Sequence, residues 1–172
     1  MKLNRIIVGA SALAVVAGCV TIAGCAALKE SSAEKDETVS MSAVPNAVKQ
    51  TLKDYASESD VKTASMGNQD GTKVYEFDIQ QGARKFELTV TLGGKFMGTE
   101  EDVEFSTLPA AAQATLTAQA QGGKLEGCEK AVDQNHKTTY EGVIDKNGKK
   151  IEVAVDADGK VVSTESVKAG GD

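Results

Sequence analysis

The sequence predicts an α+β fold made of two tandem repeats, each an N-terminal helix packed on an antiparallel sheet of three to four strands. Three observations lead there. Apolar residues change spacing from near 3.6 to 2 twice along the chain. Turn residues separate the period-2 segments. The pattern also recurs after about 65 residues, the kind of internal self-similarity that organises a chain before any single element does.

The recurrence is positional. Val44-Pro45 is answered by Leu108-Pro109, Leu52 by Leu116, Val61 by Leu125, Tyr75-Glu76 by Tyr140-Glu141, Phe86 by Ile151 and Gly94-Lys95 by Gly159-Lys160. Each copy opens with helical spacing. Val44, Val48, Leu52 and Tyr55 form the first stripe, with Pro45 placed for the first turn, where its missing N–H is not needed. Leu108, Ala112 and Leu116 form the second, with Ser106 or Thr107 as the expected cap and Gly122-Gly123 as the stop. The second helix is rich in alanine and offers a thin apolar face.

Alternation then takes over. Tyr75, Phe77 and Ile79 alternate with Val74, Glu76 and Asp78, and Phe86, Leu88 and Val90 alternate with Glu87 and Thr89. Tyr140, Gly142 and Ile144 precede Ile151, Val153 and Val155 in the second copy. Such alternation fits antiparallel strands buried on one side. Gln81-Gly82, Gly93-Gly94, Asn147-Gly148 and Asp158-Gly159 are the turns between them.

Ahead of these copies, residues 1–24 read as a secretory signal: basic Lys2 and Arg5, an apolar core from Ile6 to Val16, then small residues. Ile22-Ala23-Gly24-Cys25 and Val16-Ala17-Gly18-Cys19 both look like a bacterial lipobox. Cys25 is the preferred lipidation site, because Cys19 would leave a further apolar stretch on the mature chain; Cys19 is the alternative. An uncleaved span across the charge-free residues 6–28 competes with this reading, weakened by Gly9, Gly18 and Gly24. Diacylation plus N-acylation would anchor the protein stably to a membrane, on the periplasmic side or at the cell surface. Residues 25–42 are polar and aperiodic and read as a flexible tether. Repeat one then covers 43–104, repeat two 105–168, and 169–172 form a tail. The formal charge of −6 falls by two more when Lys2 and Arg5 leave with the signal. An acidic surface excludes nucleic acid as a partner and suits a cationic one, although solubility accounts for it as well.

The residues Val44-Pro45, Val74-Tyr75-Glu76, Phe86-Glu87-Leu88 and Gly94-Lys95, repeated as Leu108-Pro109, Tyr140-Glu141, Ile151-Glu152-Val153 and Asp156-Ala157-Asp158-Gly159-Lys160-Val161, resemble the PepSY-like (β-lactamase-inhibitor-like) family over residues 43–168. The resemblance implies a non-enzymatic module that binds or inhibits a protein outside the cytoplasm. Tandem helix-on-sheet repeats are similar also to the β-lactamase inhibitor protein, whose concave sheet grips an enzyme. That inhibitor has cysteine-rich loops and aromatic contacts that this chain lacks, so no inhibitory residue carries over.

Candidate chemistry is sparse. His136 is the single histidine, in Asp133-Gln134-Asn135-His136-Lys137, and with Cys25 acylated Cys128 is the one thiol left beyond the signal. Nucleophilic catalysis would need the two in contact with an orienting group, which strand spacing does not provide. Asp156-Ala157-Asp158-Gly159 starts like a calcium loop but has Val167 where the bidentate Glu belongs, so it reads as a turn. Tyr75 and Tyr140 are expected to pack under the helices, and Lys73, Glu76, Glu87 and Glu141 to occupy the opposite sheet face. No catalytic residue, metal ligand or cofactor is assigned. The expected function is a lipid-anchored envelope protein that binds another extracytoplasmic protein such as a peptidase, inhibition being the stronger form of that reading; the alternative is a structural or small-ligand-sensing lipoprotein.

Overall fold

The structure, a computed structural model, describes residues 37–69 and 71–167. The signal peptide, Cys19, Cys25, the first twelve tether residues and the tail at 169–172 lie outside the described residues. Within them, nine strands alternate with two helices: β1 Glu37–Thr38, α1 Asn46–Lys53, β2 Val61–Gln69, β3 Thr72–Gln81, β4 Arg84–Thr91, β5 Phe96–Asp102, α2 Ala110–Gln119, β6 Lys124–Asp133, β7 Thr138–Lys146, β8 Lys149–Val155 and β9 Val161–Ser166. Every strand pairs antiparallel with its neighbour in sequence, so the order across the sheet is β1 to β9.

This corrects the predicted architecture. The chain does not form two repeats that each carry their own three- or four-stranded sheet; it forms one continuous sheet of nine strands. The join is β5 with β6, in register from Gly98 opposite Asp133 to Asp102 opposite Glu129. Had the sheet stopped at β5, a row of backbone N–H and C=O groups would face solvent in the middle of the molecule. Pairing with β6 satisfies them.

Both helices lie on one face of that sheet. Val48 and Leu52 of α1, with Val44 before it, pack on Tyr75, Phe77, Ile79, Phe86, Leu88 and Val90. Ala112 and Leu116 of α2, with Leu108 before it, pack on Cys128, Ile144, Val153 and Val155. Cross-strand partners share a face, and the chain of partners Leu88, Thr99 and Val132 carries the side of the first cluster across to β6. Under α2 the sheet presents Gly142 rather than a larger residue. A Cβ there would stand 3.0 Å from Leu116 Cδ2, so the small residue lets a helix with a thin apolar stripe come close.

The helix starts differ from expectation in detail. Pro45 and Pro109 are both extended N-cap residues, with ψ of 150° and 141°, rather than first-turn residues. Ser106 and Thr107 do not cap α2; they belong to a 3-10 turn, Phe105–Thr107, where the Thr107 hydroxyl donates to the Glu104 carbonyl at 2.7 Å. The predicted tether also ends earlier than residue 42. Glu37 and Thr38 pair with β2, the Val39 amide donates to the Ala64 carbonyl at 2.8 Å, and Val39 and Met41 pack against the first core cluster.

Candidate functional site

With both helices on one side, the other side of the sheet carries no helix among the described residues, and its residues follow from strand alternation. β3 contributes Val74, Glu76 and Asp78; β4 Glu87 and Thr89; β5 Gly98, Glu100 and Asp102. β6 adds Glu129, β7 Thr139 and Glu141, β8 Glu152 and Ala154, and β9 Ser163 and Glu165.

Register stacks these acids on one another. Asp78 faces Glu87, Glu87 faces Glu100, Asp102 faces Glu129, Glu129 faces Glu141 and Glu152 faces Glu165. Lys85 and Lys150 stand at the ends of the array, opposite Gln80 and Asp145. Like charges directly opposite each other are unfavourable as a bare pair, which sets this face apart from an ordinary alternating surface.

The helix side shows the reverse. There Glu101 pairs with Lys130 across β5 and β6, and the Arg84 guanidinium donates two bonds to the Glu101 carboxylate, each 3.0 Å, while lying 4.1 Å over the Phe86 ring. At the centre of the sheet, acid meets base on the helix side at Glu101 and Lys130, and acid meets acid on the other.

The acidic face is also partly withdrawn from water. Glu100 is 8% exposed and Thr89 only 1% exposed. The Thr89 hydroxyl, between Glu76 on β3 and Gly98 on β5, has no hydrogen-bond partner. The Glu141 carboxyl is pushed above the ordinary glutamate range, first by burial and then by the charge on Glu129, with Glu165 adding to the effect. Bonds from Thr139, at 3.2 Å, and from Glu152 pull it partly back.

The residues singled out in the sequence are distributed as follows. Glu76, Glu87 and Glu141 occupy the helix-free face as expected. Lys73 does not; alternation puts it on the side of Tyr75 and Phe77. Tyr75 is buried in the first core cluster, and Tyr140 packs against the second. Cys128 is a free, buried thiol in the second cluster, and burial pushes its pKa up ahead of the nearby Glu129 and Glu104.

His136 is not brought to Cys128. It stands in the β6–β7 loop at φ 60°, with its ring stacked on Phe96 at 5.1 Å; Phe96 stacks in turn on Tyr55 at 5.0 Å. That three-ring stack links the end of α1, β5 and the β6–β7 loop, and its one sequence signal was an aromatic residue just after the Gly93-Gly94 turn. Asp156 Oδ1 accepts the backbone N–H groups of Asp158 at 3.1 Å and Lys160 at 2.9 Å, which makes the suspected calcium loop a side-chain-stabilised turn.

Two features escaped the sequence reading: the acid-on-acid register and the buried Thr89. Alternation shows which residues share a face of one strand, but not which residue stands opposite on the next.

No family model and no curated protein sequence matches the chain. Solved structures do share its fold. A BLIP-like protein from Bacteroides fragilis is 18% identical, with a TM-score of 0.59 over 74% of this chain and 89% of that one. A DUF2874 family protein from Bacteroides uniformis is 11% identical, with the same TM-score over 74% of this chain and 92% of that one. A protein from Bacteroides eggerthii, provisionally described as periplasmic, is 14% identical, again at 0.59, over 74% and 93%.

Proposed function

We propose that the chain is a non-enzymatic envelope protein, lipid-anchored through Cys25, that binds another extracytoplasmic protein through the helix-free face of its sheet. The observation that carries this reading is the stacking of carboxylates on that face. A sheet side that gathers carboxylates in cross-strand pairs offers an acidic surface complementary to a partner of opposite charge. The fold it shares with a BLIP-like protein and with a protein described as periplasmic supports the same reading, as does the lipobox-like sequence before Cys25. No helix among the described residues is long and apolar enough to cross a membrane. A peptidase is the first partner to test for inhibition.

The experiment is crosslinked affinity capture from an envelope extract with the full chain as bait. The expected result is a reproducible extracytoplasmic protein whose recovery drops when face residues such as Glu87 and Glu129 become glutamine. Capture unchanged by those substitutions would remove the face from the proposal, and an empty capture by folded bait would remove protein binding altogether.

A further inference from the structure

Apart from the sheet face proposed above, we infer that the outer edge of β9 pairs with the same edge of a second copy of this chain, antiparallel, about a two-fold axis between the two Thr164 residues. The first support is the contrast between the two edges of the sheet. β1 is two residues long and carries Glu37, and short, charged edge strands discourage pairing with other chains. β9 runs for six residues, Val161-Val162-Ser163-Thr164-Glu165-Ser166, without proline or lysine. Among the described residues it pairs with β8 alone, and a bulge beside Val155 disturbs only its start. Val161 and Val162 are two of the three large apolar side chains exposed among the described residues, Leu92 being the third. β-Branched residues of this kind suit a paired, half-buried strand.

The second support is that the edge is complementary to itself. The Val167 amide donates to the Lys150 carbonyl at 3.0 Å, which fixes the alternation along the strand. Val167, Glu165 and Ser163 turn their backbone groups toward β8, while Thr164 and Ser166 turn theirs outward. A symmetric antiparallel pairing has to set outward residues opposite outward ones. Setting Thr164 against Ser166 would put Glu165 directly opposite the Glu165 of the copy, an unfavourable pair. Setting Ser166 against itself would carry Val161 and Val162 past the end of β9 in the copy. Setting Thr164 against itself puts Val162 opposite Ser166 and Glu165 opposite Ser163, so the strands overlap along their length and no like charges meet. Threonine pairs are favourable across strands, and the two Thr164 residues would exchange both backbone bonds. The axis stands normal to the sheet, so helix side continues onto helix side. Nine strands from each copy form one sheet, and the contact closes at the dimer.

The test is sedimentation equilibrium of the full chain in a density-matched detergent, with circular dichroism to confirm folding. Thr164→Pro removes an N–H that points away from β8, so the β8–β9 ladder stays intact. Ser163→Glu changes no backbone group and sets a carboxylate opposite Glu165 of the copy, twice by symmetry. Leu92→Ser, in the β4–β5 turn, is the control for lost apolar surface.

The expected result is a reversible dimer in the parent and in Leu92→Ser. Thr164→Pro should weaken it about tenfold or more, the scale of two lost hydrogen bonds. Ser163→Glu should weaken it by a smaller factor that shrinks as salt is added. A parent that stays monomeric at every concentration would overturn the inference. So would a dimer that both β9 variants leave as tight as the parent, which places the contact elsewhere, or one that Leu92→Ser weakens equally. Should Thr164→Pro fail to fold, Ser163→Glu decides by itself.

Discussion

Gly94 lies directly against Ala47: a Cβ added at Gly94 would stand 2.6 Å from the Ala47 carbonyl oxygen. Gly159 holds the same position against Ala111, also at 2.6 Å. In both places a helix threonine completes the contact, Thr51 donating to the Gly94 carbonyl and Thr115 to that of Gly159, the latter at 2.7 Å. Each helix is thus fastened to a hairpin turn through backbone at a distance that only glycine allows.

Gly94→Ala and Gly159→Ala are each expected to destabilise the fold by about 2–4 kcal/mol, combining a left-handed φ of 84° or 79° with collision against backbone. Gly82, also left-handed but with open space around its Cβ position, is the control; its alanine variant should lose only about 1 kcal/mol. Denaturant melts of the three variants decide the matter, and equal losses would show that the close approach contributes nothing.

Leu52 and Leu116 are fully buried, each beneath its own helix. Truncating either to alanine should cost about 2–5 kcal/mol. Because β5 and β6 are hydrogen-bonded partners, both variants should still unfold in one transition, seen alike by circular dichroism and by tyrosine fluorescence. Two resolved transitions, with Leu116→Ala lowering only one, would mean that the two ends of the sheet are energetically separate.

Glu141 gives the fold a pH dependence of definite sign. Its folded pKa is raised by burial, by Glu129 and by Glu165, against the bonds from Thr139 and Glu152. The folded state therefore holds a proton that the unfolded state releases, and stability falls as pH climbs from the ordinary glutamate range through the raised value. Glu141→Gln should flatten that slope and add roughly 0.5–1 kcal/mol near pH 7, the scale of a like-charge cross-strand pair. Urea melts between pH 4 and 8 test it, using about four evenly spaced pH points; an unchanged slope would show that Glu141 is not the group responsible.

Cys128 should react slowly with a charged thiol reagent at mildly alkaline pH, since burial both shields the sulfur and raises its pKa. Denaturant should speed the reaction by orders of magnitude. Rapid labelling of the folded chain would contradict the packing of this thiol under α2.

Side-chain period was enough to read the strands around Phe77, Leu88, Ile144 and Val153, because each presents bulky apolar residues at every second position and polar ones between. It was not enough to read β5. Phe96-Met97-Gly98-Thr99-Glu100-Glu101-Asp102 has two neighbouring glutamates in its centre and little apolar alternation, yet it is hydrogen-bonded on both edges. Backbone pairing joined the sheet there, and backbone groups leave no mark in a hydropathy pattern. The acidic face was hidden for a related reason: Glu76, Glu87 and Glu141 each look like solvated outward residues, and only register brings Glu87 against Glu100 and Glu141 against Glu129.

The unbroken order of strands from β1 to β9 also sets a timetable. No strand waits for a partner synthesised much later; when each emerges, the one it pairs with has already been made. Assembly can therefore run from the N-terminus like a zip, with short loops to close at most steps and the two helix-bearing connections as the longer ones. Until the next strand arrives, the last one made is an open edge, and among the described residues β9 remains such an edge, with Val161 and Val162 37% and 39% exposed. A chain stalled before its final hairpin would carry that stickiness further inward, at the already apolar β8.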